Sequence, residues 1–369
     1  MYICTSCKRE HPADLRDYRC PVCKGLLDLA EPIVFDPAQV DQEDRSLWRY
    51  RHTFPFPDDV EPITLGEGGT PLVLSEIDTS DGRGHEVHFK LEYLNPTCSF
   101  KDRGTTVLLT NLIAHGIAAA VEDSSGNAGS SFAAYCARAG IGARVFVPSY
   151  AAAGKVAQIE AFGAELVKVS GPRSAAAEAV QKAAAAGAFY ASHNYYPIGL
   201  VGLATTAYEL VEQLDGPPGT VVLPTGHGTH LLGIYRGFRA LQAAGVIERM
   251  PQLIGVQAEA CAPLWAFSEF GPDGLAFVTE GETLAEGIRI LKPLHGDKVL
   301  QAVYSTGGCF VQVNEMQIEA GRNVLAKKGL YVEPTSAVVW AALRNVLSQS
   351  TAGPVVALLT GSGYKYQPY

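Results

Sequence analysis

Residues 92–104 read Glu92-Tyr93-Leu94-Asn95-Pro96-Thr97-Cys98-Ser99-Phe100-Lys101-Asp102-Arg103-Gly104. The run just before them, 86–91 (Glu-Val-His-Phe-Lys-Leu), predicts a strand. Apolar residues at three- and four-residue spacing predict a helix over 102–115. Lys101 therefore stands between a strand–loop and the first turn of a helix. A lysine in such a place forms a Schiff base once its surroundings lower its pKa. The plainer reading is a helix start, with Ser99 as cap and Lys101 and Asp102 in solvent. The rest of the chain decides between the two.

Two other turns join apolar runs to helices. Ser124-Ser125-Gly126-Asn127-Ala128-Gly129 precedes an Ala-rich helix. Small residues there let backbone N–H groups at a helix N-terminus approach a carboxylate, which the helix dipole favours. Asn127 adds a side-chain donor that reaches an oxygen on a cofactor ring. Pro224-Thr225-Gly226-His227-Gly228-Thr229-His230 follows the run Val221-Val222-Leu223 and opens another helix. This second anion cradle suits a phosphate. Late in the chain, Leu359-Thr360-Gly361-Ser362-Gly363 brings a hydroxyl to a strand end. Further strands are predicted at 143–147, 165–169, 220–223 and 355–359. Further helices are predicted at 128–139, 153–162, 174–187, 202–214, 230–244, 312–328 and 335–348. Such alternation implies an α/β architecture with helices covering a largely parallel sheet.

The N-terminus differs in texture. Cys4-x2-Cys7 and Cys20-x2-Cys23 are separated by twelve residues. Two such pairs place four thiolates tetrahedrally around one zinc, with iron as the chemical alternative. A segment this short buries little core alone, so the metal cross-link supplies folding energy, and a full ligand set makes the role structural. Cys98, Cys136, Cys261 and Cys309 are scattered singly and read as small buried apolar residues or spectators in a reducing compartment, with Cys98 the exception because it lies three residues before Lys101. A net charge of −9 over 369 residues argues against nucleic acid or an anionic membrane as partner. No apolar run is long enough to span a bilayer and no signal-peptide layout opens the chain, so a cytoplasmic protein is expected.

In this order, the lysine motif, the Ser-Ser-Gly-Asn-Ala-Gly turn, the Gly226–His230 loop and Thr360-Gly361 resemble the fold-type II pyridoxal-phosphate (PLP) enzymes over roughly residues 62–363. Gly66-Glu67-Gly68-Gly69-Thr70-Pro71-Leu72 and Asn95-Pro96-Thr97-x-Ser99-Phe100-Lys101-Asp102-Arg103-Gly104 are most similar to threonine synthase. The resemblance implies two parallel-sheet α/β domains flanking a cofactor cleft, preceded by a small zinc-ribbon-like module. The expected domains are the module at 1–35, a larger PLP domain from 46–95 and 196–369, and a smaller α/β domain at 96–195. Lys101 would hold PLP and shuttle protons. Asn127 would bond the ring 3′-oxygen, and Gly226, His227, Gly228, Thr229 and His230 would hold the phosphate. Thr360 would face the pyridine nitrogen, leaving it largely unprotonated, which suits elimination and replacement chemistry. Thr97, Ser124, Ser125, Asn127 and Ala128 would receive the substrate. The implied activity is that of a threonine synthase-like lyase on a small amino acid, and a homodimer is the expected assembly.

The sequence departs from that family in ways that bear on substrate. The stretch 193–202 (His-Asn-Tyr-Tyr-Pro-Ile-Gly-Leu-Val-Gly) lacks the arginine that helps threonine synthases bind a substrate phosphate. Tyr195, Tyr196, Ile198 and Leu200 are expected to offer apolar surface and phenolic hydroxyls there instead. The Gly usual before the lysine-motif Ser is Cys98 here. The segment 283–288 (Thr-Leu-Ala-Glu-Gly-Ile) is closer to the dehydratase relatives. The alternative activity is therefore β-elimination or β-replacement on an unphosphorylated or β-substituted amino acid. A dinucleotide-binding oxidoreductase is excluded by the lack of a Gly-x-Gly-x-x-Gly turn with a ribose-binding acid at the proper spacing.

Overall fold

The structure is a computed structural model that describes residues 1–57, 59–78, 84–151, 153–347 and 353–365. In chain order the strands are β1 (Tyr2–Cys4), β2 (Glu10–His11), β3 (Leu27–Leu29), β4 (Leu72–Asp78), β5 (Gly84–Lys90), β6 (Ala119–Glu122), β7 (Gly142–Pro148), β8 (Glu165–Val169), β9 (Phe189–Tyr190), β10 (Thr220–Pro224), β11 (Gln252–Ala258), β12 (Cys309–Val313) and β13 (Val355–Leu358). The helices are α1 (Lys101–Ala114), α2 (Asn127–Ala139), α3 (Ala153–Ala161), α4 (Arg173–Ala185), α5 (Gly199–Leu214), α6 (Thr229–Ala243), α7 (Pro263–Phe270), α8 (Gly296–Ser305), α9 (Glu315–Lys327) and α10 (Pro334–Leu347).

By compactness the chain groups into one unit of Met1–Gly68 with Lys101–Gly202 and another of Gly69–Phe100 with Leu203–Tyr369. Residues 46–68 and 196–202, expected in the larger PLP domain, group here with the lysine-bearing unit, and 96–100, expected in the smaller domain, with the other.

In the first unit, four parallel strands run in the order β8-β7-β6-β9. Parallel pairing needs a crossover between consecutive strands, and α2, α3 and α4 supply it. The core gathers Val107, Leu109 and Leu112 of α1 with Phe132, Tyr135 and Cys136 of α2 and the β7 valines. The N-terminal module is a small antiparallel sheet, β2-β1-β3, and its Tyr2, Cys4, Cys20 and Leu27 join the same core. Its docking is aromatic. Tyr196 donates its hydroxyl to the carbonyl of Arg16 at 2.8 Å, and the Arg19 guanidinium both lies over the Tyr195 ring and donates to its hydroxyl at 3.1 Å. Tyr18 packs edge-on against Tyr190 and Tyr195.

In the second unit, six strands run β12-β11-β10-β13-β5-β4, parallel except for the β4–β5 hairpin pair. Central strands such as β10 and β13 are buried throughout, which accounts for their unbroken apolar sequence. The predicted helix over 312–328 begins too early. Residues up to Val313 finish β12, and Asn314 then caps α9 by a reciprocal bond with Gln317. Strands β4, β6, β9, β11 and β12 and helices α7 and α8 were not predicted. At the end of β5, Lys90 is fully buried and bonds Glu209 Oε2 at 2.6 Å, the Thr70 carbonyl at 2.7 Å and Gln213 Oε1 at 2.9 Å. The other oxygen of Glu209 accepts from the Gly69 N–H at 2.8 Å, so one buried ion pair ties the Gly69-Thr70 turn to α5. Among the described residues, no helix is long and apolar enough to cross a membrane.

Candidate active site

Each predicted turn lies where its strand ends and its helix begins, at the carboxyl edge of a parallel sheet where open α/β folds bind ligands. In the first unit, β6 leads through Asp123 into the Ser124–Ala128 turn. Gly126 is the N-cap of α2, and no side chain caps the helix. Gly129 is dictated by contact. A Cβ there would overlap the Ser124 carbonyl oxygen and lie 2.9 Å from its carbon. Lys101 is the first residue of α1, half-buried, with its carbonyl accepting from Thr105 Oγ1 at 2.9 Å. This unit therefore holds Lys101, Ser124, Ser125, Asn127 and Ala128.

The second unit holds Thr97, Gly226, His227, Gly228, Thr229, His230 and Thr360. Here the approach to Lys101 is pinned. The Phe100 N–H donates to the Thr360 carbonyl at 3.0 Å, the Ser362 N–H to the Cys98 carbonyl at 3.1 Å, and Lys365 Nζ to the Thr97 carbonyl at 2.8 Å. The Phe100 ring stacks flat on His230, with centroids 4.2 Å apart. Phe100 thus brings together the lysine motif, the Gly226–His230 loop and the Thr360 strand end. Cys98 has φ of +64°, a left-handed conformation that glycine adopts without cost and a thiol-bearing residue does not. The plain capping reading of Ser99 fails. Ser99 forms a bridge with Gly361, and its buried hydroxyl has no hydrogen-bond partner among the described residues.

Gly228 caps α6 at φ +78° with no side-chain cap, and a Cβ there would lie 2.5 Å from Val299 Cγ2. A Cβ on Gly226 would lie 3.1 Å from the Cα of Ile288. Gly228 requires glycine, Gly226 is closely packed, and no side chain caps the α6 N-terminus, an arrangement that can receive an anion. The rings of this loop are engaged elsewhere. His227 Nδ1 accepts from the Leu294 N–H at 3.3 Å, and His230 stacks on Phe100. Thr360 Oγ1 lies 3.0 Å from Ser336 Oγ, which also accepts from the Gly361 N–H at 2.8 Å. Ser336 escaped the sequence reading, since nothing local marks a serine in the first turn of α10. Within the second unit, the orphan Ser99 hydroxyl and the uncapped, glycine-lined start of α6 fit the phosphate of a cofactor, and within the first unit the uncapped start of α2 fits a carboxylate.

The acids Glu122 and Asp123 were also missed, although two adjacent acids closing an apolar run are an audible signal. Glu122 Oε1 lies 2.7 Å from His193 Nδ1, and Asp123 accepts from Arg173 at 2.8 Å and from the Tyr190 hydroxyl at 2.6 Å. The tyrosines of 193–202 do not do what the sequence suggested. Tyr195 and Tyr196 are buried against the N-terminal module, and Ile198 and Leu200 are core residues.

The four N-terminal sulfurs converge. Cys4, Cys7, Cys20 and Cys23 present ligand atoms all within 4.8 Å of one another, with Cys4–Cys23 at 3.4 Å and Cys7–Cys20 at 3.7 Å. A tetrahedral zinc with bonds of about 2.3 Å needs sulfurs roughly 3.8 Å apart, so the set fits such an ion. The two knuckles repeat each other. Lys8 and Lys24 both adopt φ of +60° and return their N–H to the carbonyls of Cys4 and Cys20.

A family model described as "Pyridoxal-phosphate dependent enzyme" matches residues 63–361. The chain belongs to that family. Threonine synthase of Methanosarcina acetivorans is 33% identical over 367 residues, covering 97% of this chain and 90% of that protein. Threonine synthase of Mycobacterium tuberculosis is 34% identical over 322 residues, covering 86% of this chain and 87% of that protein. Among solved structures, the processed threonine deaminase isoform 2 from Solanum lycopersicum superposes with a TM-score of 0.68 at 21% identity, covering 90% of this chain and 88% of its own. Maize serine racemase gives 0.67 at 19%, covering 80% and 88%. The structural likenesses fix the PLP fold-type II architecture, and the sequence relatives make this a PLP-dependent lyase of threonine synthase type.

Proposed function

We propose that this protein is a threonine synthase-like lyase, with O-phosphohomoserine to threonine as the nearest named activity. The observation that carries the reading is the 33% identity to a threonine synthase over 97% of the chain. Bound PLP supplies an electron sink that makes the α-proton of an amino acid labile. Lys101 holds the cofactor through its ε-amino group, and that amine, once released by the substrate's own amino group, takes up and returns protons. The open α2 start, with Ser124, Ser125 and the Ala128 N–H, receives the substrate carboxylate, and Asn127 orients the cofactor ring. Thr97 lines the substrate side of the lysine motif. The α6 start at Gly226–His230 seats the cofactor phosphate through backbone N–H groups, with the His230 ring stacked on Phe100 beside it. Thr360 presents a neutral hydroxyl, backed by Ser336, toward the ring nitrogen. Cys4, Cys7, Cys20 and Cys23 hold a structural zinc or iron.

A second reading, β-elimination or β-replacement on a smaller β-substituted amino acid, is favoured by one observation. Residues 193–202 contain no cation, and their tyrosines are spent on the N-terminal module. Loss of one charge-assisted bond, about 1.5–3 kcal/mol, weakens binding of a substrate phosphate roughly ten- to a hundredfold. The test compares O-phosphohomoserine, threonine, serine, O-acetylserine and phosphoserine side by side. Threonine and phosphate formed with a clear preference for O-phosphohomoserine support the first reading; a better rate on a smaller substrate supports the second. Borohydride should fix the cofactor to the Lys101 peptide, and Lys101→Ala should abolish turnover while the fold persists. Fixation at another lysine overturns both readings.

A further inference from the structure

The C-terminal end of β6 carries two adjacent buried acids served in opposite ways. Asp123 accepts from a guanidinium and from a phenol. Glu122 Oε1 lies 2.7 Å from His193 Nδ1, while Oε2 is buried without a hydrogen-bond partner among the described residues. A carboxyl group with one bare oxygen, beside a second carboxyl group and out of water, resists ionisation. Burial first, and Asp123 second, hold Glu122 well above the usual carboxylate range, against the opposing pull of Arg173 and Lys101. Lys101 is therefore a charge that Glu122 feels. The His193 side chain is 23% exposed, so the pair links the buried acid to solvent.

We propose that Glu122 and His193 are a positioning pair for Lys101, sharing one proton whose presence or loss sets the electrostatic field at the lysine nitrogen. This rests on the reading of Lys101 as the cofactor lysine. The groups facing Glu122 are Asp123 on its own strand end, Lys101 from α1, Cys136 from α2, Arg173 from α4, Tyr190 from β9 and His193 from the loop after β9. Burial pushes the Cys136 thiol and the Tyr190 phenol up, so both stay neutral, and Arg173 stays charged beside Asp123. The Glu122–His193 pair is thus the element of the cluster that changes charge behind the lysine. With its proton the pair is neutral overall; without it the pair is an anion and favours the cationic form of the lysine nitrogen. Because the folded state raises the Glu122 value, this proton stabilises the fold at low pH, and that contribution is lost as pH rises through the raised value.

The experiment is a pH titration of the absorption band of the bound cofactor in the holoenzyme, the Glu122→Gln variant and the His193→Gln variant. Glu122→Gln removes the anion and should lower the midpoint by about one pH unit or more. His193→Gln removes the donor that stabilises that anion, so it should lower the midpoint too, by less. It alters a partly exposed side chain, so it decides the matter if Glu122→Gln fails to fold. A midpoint unmoved in the folded variants, with borohydride still fixing the cofactor to Lys101, overturns the pair. Fixation at another lysine overturns the reading beneath it instead.

Discussion

Gly129→Ala separates two physical expectations of opposite sign. Gly129 is the third residue of α2, and in a helix interior alanine is favoured over glycine by about 1 kcal/mol, so propensity alone predicts a more stable protein. The structure predicts the reverse. A Cβ at 129 would overlap the Ser124 carbonyl oxygen and lie 2.9 Å from its carbon and 3.0 Å from Ile159 Cδ1. Restoring an ordinary carbon–carbon separation of about 3.5 Å moves the Ser124 turn by at least roughly 0.6 Å, and relieving the oxygen requires more. Overpacking of this kind costs about 1–3 kcal/mol, which outweighs the propensity gain. The same displacement draws the Ser124 and Ser125 groups away from the α2 N-terminus, and a misplacement near 1 Å lowers a rate by about a hundredfold. Steady-state kinetics should therefore show kcat/KM reduced about ten- to a hundredfold, much of it in KM, together with a lower melting temperature. Cofactor fixation at Lys101 should persist, since that residue lies on α1. A Gly129→Ala protein that melts higher and turns over like the parent would refute both the close packing and the role of the turn as carboxylate seat.

Two further outcomes follow from the buried contacts. Chelation of the metal, or Cys4→Ser, should open roughly the first 30 residues to limited proteolysis while cofactor binding survives. Tyr196→Phe should do so more weakly, by deleting a bond worth about 1 kcal/mol to the Arg16 carbonyl, and unchanged digestion after metal removal would refute the structural assignment. Lys90→Met leaves Glu209 buried without its cation and should cost about 3–5 kcal/mol in denaturant unfolding, whereas Lys90→Met with Glu209→Leu should recover much of it; equal losses in the single and double variants would show that the pair is not coupled.

What was legible in the sequence and what was not divides by the distance over which a residue finds its partners. The three strand-to-helix turns could be read because their glycines and small residues answer local demands, such as the left-handed cap at Gly228 or the Ser124 carbonyl against Gly129. The four cysteines could be read because their spacing is itself the metal-site geometry. Strand β11 could not, since Gly255 interrupts its apolar run. That glycine is explained by the Phe310 ring of β12, which would lie 2.7 Å from a Cβ there. Tyr195 and Tyr196 were taken to face substrate because the Arg19 and Arg16 groups that claim them lie 176 and 180 residues away in the chain. Glu122 and Asp123 show the limit most sharply. They are neighbours with the same functional group, both buried, yet the fold gives them different donors, and burial pushes Glu122 toward its neutral form. The difference comes from Arg173 and Tyr190 on one side and His193 on the other, 50, 67 and 71 residues downstream. No local pattern distinguishes two such acids; the fold does so by choosing their donors.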